Sequence, residues 1–146
     1  MKKVTALILA LLLILTGLTA ALAESESSVF PKFVPAESLD VFVGHWDLSG
    51  FGDVKSNKYY TKEQLVEMNV YMEMTFDIEK DKSIVNSKED GIVNLTATNS
   101  LNTDGSLIMT ESGTSISVYL CEDGTLCFIQ NSGETPYYFF FSKKVD

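Results

Sequence analysis

The chain contains one histidine, His45, and that limits its acid–base chemistry. A nucleophile–base triad needs an imidazole with a dedicated partner, and a histidine-rich metal centre needs several imidazoles. In Gly44-His45-Trp46, strand alternation sends His45 to the face opposite Trp46, so it is expected to be an exposed strand residue. Carboxylates are plentiful, yet Glu89-Asp90, Asp104 and Glu122-Asp123 precede or flank glycines. Turn formation accounts for them without proton transfer, and none has the spaced oxygen ligands of an EF-hand. These residues predict no enzyme, no catalytic set, no cofactor and no metal.

Covalent chemistry rests on Cys121 and Cys127, which flank residues 122–126. A three-residue loop over 122–124, with Gly124 in the left-handed region, opposes 121 to 125 and 119 to 127 and puts both cysteines on one face, on a diagonal. A two-residue loop puts them on opposite faces and forbids a bond. With two cysteines in an exported chain, the expectation is a disulfide; the alternative is two small apolar strand residues.

Export is read from the first 23 residues. Met1-Lys2-Lys3 precedes an uncharged, mostly apolar run from Val4 to Ala23, and Ala21-Leu22-Ala23 places small residues at −3 and −1 of a cleavage site before Glu24-Ser25-Glu26. The expected product is a secreted or extracytoplasmic protein cleaved near Ala23; the alternative is an uncleaved anchor, since the run can just span a hydrocarbon core. Cleavage leaves 123 residues, one domain's worth, with 9 lysines, no arginine and 20 acids, a formal charge of −11. That field repels nucleic acid and anionic lipid, so neither is an expected partner, and no membrane span remains after cleavage.

The elements that must position these groups are strands. Residues 24–40 carry Pro31 and Pro35 and read as a polar tether ending in one helical turn at 38–42, with the domain running from 41 to 146. Over 70–79 the alternation is strict: Val70, Met72, Met74, Phe76 and Ile78 on one face, Tyr71, Glu73, Thr75, Asp77 and Glu79 on the other. Turn residues at 80–82, 89–91, 103–105, 112–113, 122–124 and 131–133 separate further strands at 83–86, 92–98, 106–111, 115–121, 125–130 and 136–142. A first strand at 44–51 makes eight. Residues 61–68 break the rhythm: Thr61 with Gln64 three residues on predicts a capping box and a short helix between the first two strands. Eight strands joined in order by short turns predict an all-β, antiparallel up-and-down barrel, because closure removes sheet edges; a two-sheet sandwich needs longer crossings.

The stripe Met72, Met74 and Phe76, with Val118, Leu120, Leu126 and Phe128 on a later hairpin and Trp46 on the first strand, reads either as an apolar pocket or as a filled core. Tyr137 to Phe141 are five consecutive aromatics, so one set of rings faces outward and needs cover from the tether, the helix or a partner.

Four features together resemble the small secreted lipocalin-like domains of bacteria: Gly44-x-Trp46 after a helical turn, the insert Tyr60-Thr61-Lys62-Glu63-Gln64-Leu65, the alternating strand at 70–79, and Asp123-Gly124-Thr125-Leu126 followed by Tyr138-Phe139-Phe140-Phe141-Ser142-Lys143. The resemblance spans residues 41–144. It implies a barrel whose motif residues are Gly44 and Trp46, with the tryptophan closing the base against an arginine of the last strand. This chain has none, and Lys143 or Lys144 is the expected substitute, by cation–π attraction. The short chain implies short strands and a narrow or partly open calyx. The function implied is non-enzymatic binding of a small apolar ligand; the alternative is a protein-interaction or inhibitor module with a filled barrel, whose partner is an extracellular or envelope protein.

Overall fold

Period-two patterning becomes antiparallel pairing in the computed structural model, which describes residues 28–88, 93–132 and 135–145. The leader lies outside the described residues, as do the 89–91 turn and Gly133. Among the described residues ten strands run in chain order: β1 Phe33–Val34, β2 Gly44–Asp53, β3 Lys58–Thr61, β4 Met74–Ile78, β5 Lys82–Ser87, β6 Val93–Leu101, β7 Leu107–Glu111, β8 Thr114–Cys121, β9 Leu126–Ser132 and β10 Thr135–Lys143. Each neighbour pairs with the next from β4 to β10, β10 pairs with β2, and β2 pairs with β4. The ring closes. The fold is all-β, an eight-stranded antiparallel barrel in up-and-down order with very little helix.

The helical forecasts are local and they hold. A 3-10 turn occupies Leu39–Phe42, and α1 occupies Lys62–Glu67. Thr61 Oγ1 accepts from the Gln64 amide (3.3 Å) while Gln64 Oε1 accepts from the Thr61 amide (2.9 Å), the reciprocal pair of a capping box. The expected strand over 70–79 contracts to Met74–Ile78, because β2 and β5 offer ladder partners only over that stretch. Two short strands join the eight. β3 pairs with the far end of β2, and β1 pairs with β8 through Phe33 opposite Cys121 and Val34 opposite Leu120.

A bulge in β2 redirects its side chains. Phe140 stands opposite Gly50 and Phe141 opposite Leu48, leaving Ser49 as the extra residue, and Ser49 Oγ donates to the Phe140 carbonyl (3.2 Å). Trp46 and Leu48 therefore point inward before the bulge, and Phe51 points inward after it. Gly50 and Gly52 fall on the outer face. A Cβ on Gly50 would meet the Tyr59 ring, and one on Gly52 would meet Phe30, so both glycines let outer rings lie on the strand backbone.

Cys121 and Cys127 are free, which corrects the expected disulfide. The hairpin has the three-residue loop: Cys121 bonds Thr125 through backbone, Gly124 has φ +83°, and Tyr119 opposes Cys127. The cysteines share the outer face, but each is two positions from the residue opposite the other. Diagonal neighbours lie about 7–8 Å apart, beyond the usual span of a disulfide.

Candidate functional site

The base of the barrel is built from the motif residues. Gly44 opens β2 with φ +144°, and Trp46, two residues on, points inward at 2 % exposure. Its indole N–H donates to the Phe42 carbonyl (2.8 Å), tying the strand to the preceding turn, whose Phe42 is fully buried. Lys143, from the end of β10, stands opposite Trp46 in the ladder and holds its ammonium 5.5 Å from the ring centroid. Of the two lysines forecast as substitutes for arginine, Lys143 takes the position.

Above this base the stripe read as pocket or core forms one continuous apolar cluster. Trp46, Met72, Met74, Phe76, Val118, Leu126 and Phe128 are all buried in it, and Leu120 packs against it partly buried. Phe76 stacks on Phe141 with centroids 4.1 Å apart across the interior, and Phe139 meets Phe51 edge-on at 5.2 Å and Phe128 at 5.9 Å. At the far end, α1 inserts Leu65 (4 % exposed) into the same cluster, against which Tyr60, Val70 and Tyr71 also pack partly buried. The capped helix therefore closes the end of the barrel opposite Trp46.

The outer wall carries polar groups. His45 projects from β2 between two carboxylates: Nδ1 is 2.5 Å from Asp77 Oδ1 on β4, and Nε2 is 3.0 Å from Asp47 Oδ1. Asp77 also accepts from Asn86 Nδ2 (3.1 Å). The Asp77 contact raises the His45 pKa above its usual 6.5; desolvation opposes it, and Asp47 adds to the rise. His45 lies on the face of β2 opposite Trp46, as expected, but it is half-buried there rather than exposed, and the two anionic partners were missed. Asp47 was legible at i+2 on the same face; Asp77 was not, because only register places it beside His45. The trio borders an open groove of about 630 Å³ that includes the ion pair Glu73–Lys88 (2.7 Å) and Tyr71 beneath Lys62. Each imidazole nitrogen faces a different carboxylate, so the three do not converge on one point. Among the described residues no group of three or more His, Cys, Asp or Glu side chains is placed to hold a metal ion.

The acidic turns do what turn chemistry predicts. Asp104 Oδ1 accepts from the Ser106 amide and hydroxyl, and Asp123 Oδ1 accepts from those of Thr125. Glu89 and Asp90 lie outside the described residues.

The cysteines and the outward rings of β10 form a second apolar cluster: Cys121, Cys127 and Phe140, with Phe30, Ile129 and Tyr138 against them. Burial pushes the Cys121 thiol up to about 11 and the Cys127 thiol higher still, which leaves both protonated and weakly nucleophilic near neutrality. The cover comes from the segment read as a tether. Phe30 packs on Tyr138 at 5.2 Å, and Phe33 stacks on Tyr119 at 4.9 Å. A second depression, about 480 Å³, opens between β8 and β9. No helix among the described residues is long and apolar enough to cross a membrane.

No protein-family model matches the chain, and no curated protein matches it.

Proposed function

We propose that this chain is an exported, non-enzymatic lipocalin-like protein of bacterial type that works as a protein-interaction module, through the outer surface of its barrel. The observation that carries this reading is the interior: a continuous cluster of buried side chains runs from Trp46 at one end to Leu65 at the other, with Phe76 on Phe141 between them. Eight strands give a barrel just wide enough to be filled by side chains or to hold one small ligand, and this cluster favours filling. Both depressions of several hundred Å³ open on the outside of the wall. The lysine-led apolar leader supports export. The free thiols are protonated and His45 is committed to carboxylates, which supports a non-enzymatic role.

The test is photo-crosslinking from outward positions, Glu73 and Tyr119, in the producing culture, with native mass spectrometry of the purified mature domain alongside. Protein adducts from the outer positions and an unliganded mass are expected. A stoichiometric small apolar molecule that quenches Trp46 would overturn the reading.

The interior methionines Met72, Met74 and Met109 favour a second reading, a small apolar ligand admitted by displacement of α1, because thioether chains repack easily. In that case the same spectrum carries the ligand's mass.

A further inference from the structure

β8 and β9 begin as a hairpin and then part. Their ladder has three pairs, Leu120 with Leu126, Tyr119 with Cys127 and Val118 with Phe128. It stops there, although β8 continues back to Thr114 and β9 forward to Ser132. On its other edge β8 stays paired with β7 down to Glu111 opposite Thr114, and β9 stays paired with β10 up to Ser132 opposite Thr135. The wall therefore carries a seam between two strands, each held on its far side only. The depression of about 480 Å³ lies in it.

Backbone direction follows from the alternation of an antiparallel ladder. Glu111 and Thr114 flank a two-residue turn, so even-numbered residues of β8 bond toward β7; the Cys121 amide bonds the Thr125 carbonyl and Tyr119 stands opposite Cys127, so odd-numbered residues of β9 bond toward β8 and even-numbered ones toward β10. Odd-numbered residues face the seam. The Val118–Phe128 pair is closed on the seam side between Ile129 N–H and Ser117 C=O, so the groups left past it are the Ser117 N–H, the Ile129 C=O and the peptide groups of Ser115 and Asn131. Such rows are a template for an added strand.

The molecule already uses this template once. Where β7 ends, the exposed edge of β8 recruits the extended segment β1: Phe33 pairs with Cys121, Val34 with Leu120, and the Glu122 amide donates to the Lys32 carbonyl (2.9 Å). The seam leaves the other edge of the same strand open. Its lining also sets the occupant's chemistry. None of the ten residues around it is charged, in a chain of formal charge −9, and the floor reaches Ile116 and Phe128 of the interior. A charged side chain would lose hydration there with no opposite charge to meet it.

Resting on the reading that the outer surface does the work, we propose that the β8–β9 seam is the partner site, and that its ligand is a short, uncharged, extended stretch of a partner polypeptide that bonds the free backbone edges of β8 and β9 as an added strand.

The experiment uses the mature domain and a library of seven-residue peptides made from Ser, Thr, Asn, Val, Ile and Tyr, read by amide chemical shifts. Expected are saturable shifts at Ser115, Ser117, Ile129 and Asn131, at least a tenfold loss of affinity when the peptide backbone is N-methylated, and a similar loss in Ser117→Pro. The proline removes a seam-facing N–H and spares the β7 ladder; Trp46 fluorescence checks that the variant is folded. Because the N-methylated peptides test the native chain, an unfolded variant leaves the proposal falsifiable. Shifts around His45, Glu73 and Lys88 instead would overturn the seam and leave the outer-surface reading standing. Absence of peptide binding at millimolar concentration would overturn the seam, and so would a neutral oligosaccharide that shifts the same four amides while no peptide does. A lipophilic probe that shifts the methyl groups of Met72 and Met74 while no peptide binds would overturn both readings.

Discussion

The ammonium of Lys143 lies over the Trp46 ring, in space left by the missing side chain of Gly44: a Cβ there would sit 2.5 Å from Lys143 Cε. The motif glycine and the lysine of the last strand are therefore one device, joined through the tryptophan between them.

Lys143→Ala is expected to destabilise the domain by about 0.5–1 kcal/mol, the usual worth of an exposed cation–π contact. Lys143→Arg should restore it. Gly44→Ala displaces the lysine and strains a backbone at φ +144°, so it should cost more than Lys143→Ala, with the double variant less than additive. Urea unfolding followed by Trp46 emission, the chain's single tryptophan, reads all four variants.

His45 links stability to pH. Its folded pKa is raised above the usual 6.5, chiefly by Asp77, so the folded state holds the proton more tightly than the unfolded chain. The contribution is complete below about 6.5 and is lost as pH rises through the raised value. An NMR titration of the imidazole is expected to give a midpoint above 6.5, falling in Asp77→Asn. Unfolding midpoints at pH 5.5 and 8.5, with His45→Ala as the reference, should show a larger histidine-dependent part at the lower pH.

The thiols are expected to stay silent in the folded protein. A colorimetric disulfide reagent at pH 8 should label neither Cys121 nor Cys127 until urea unfolds the chain, because burial holds both in the protonated form. The mass should be the same before and after reduction. A rise of two daltons on reduction would show a bond that the diagonal placement opposes.

Phe30→Ala removes the ring that covers Tyr138 and Phe140. A loss of about 1–2 kcal/mol is expected for a half-buried ring. Dye binding to the newly exposed wall should rise with it, whereas the Trp46 emission wavelength should not move.

Elements governed by nearby residues were legible. The capping box needs only Thr61 and Gln64, and the 3-10 turn lies next to the strand it precedes. Turns at Asp104 and Asp123 are closed by residues two positions on, so their place was readable from the local sequence alone. Over Met74–Ile78 the faces were also right, but before it Tyr71 packs against the core like Val70, and the paired length was shorter, since a ladder ends where its partner ends. β1 escaped notice because two residues beside prolines carry no period.

What needed distance in the chain was decided by the tertiary structure. Asp77 is 32 residues from His45, and Phe30 is about a hundred from the rings it covers. The hairpin loop put Cys121 and Cys127 on one face, as the first of the two sequence readings had it, yet the diagonal spacing left them free. The choice of Lys143 over Lys144 turned on register. Sequence alone determined that this chain alternates, turns often and must close its edges, which dictates an up-and-down barrel. Alternation assigns each side chain to an inner or outer face but says nothing of who stands beside it on that face; that information lies in strand register, and register is settled only when every strand has found both neighbours.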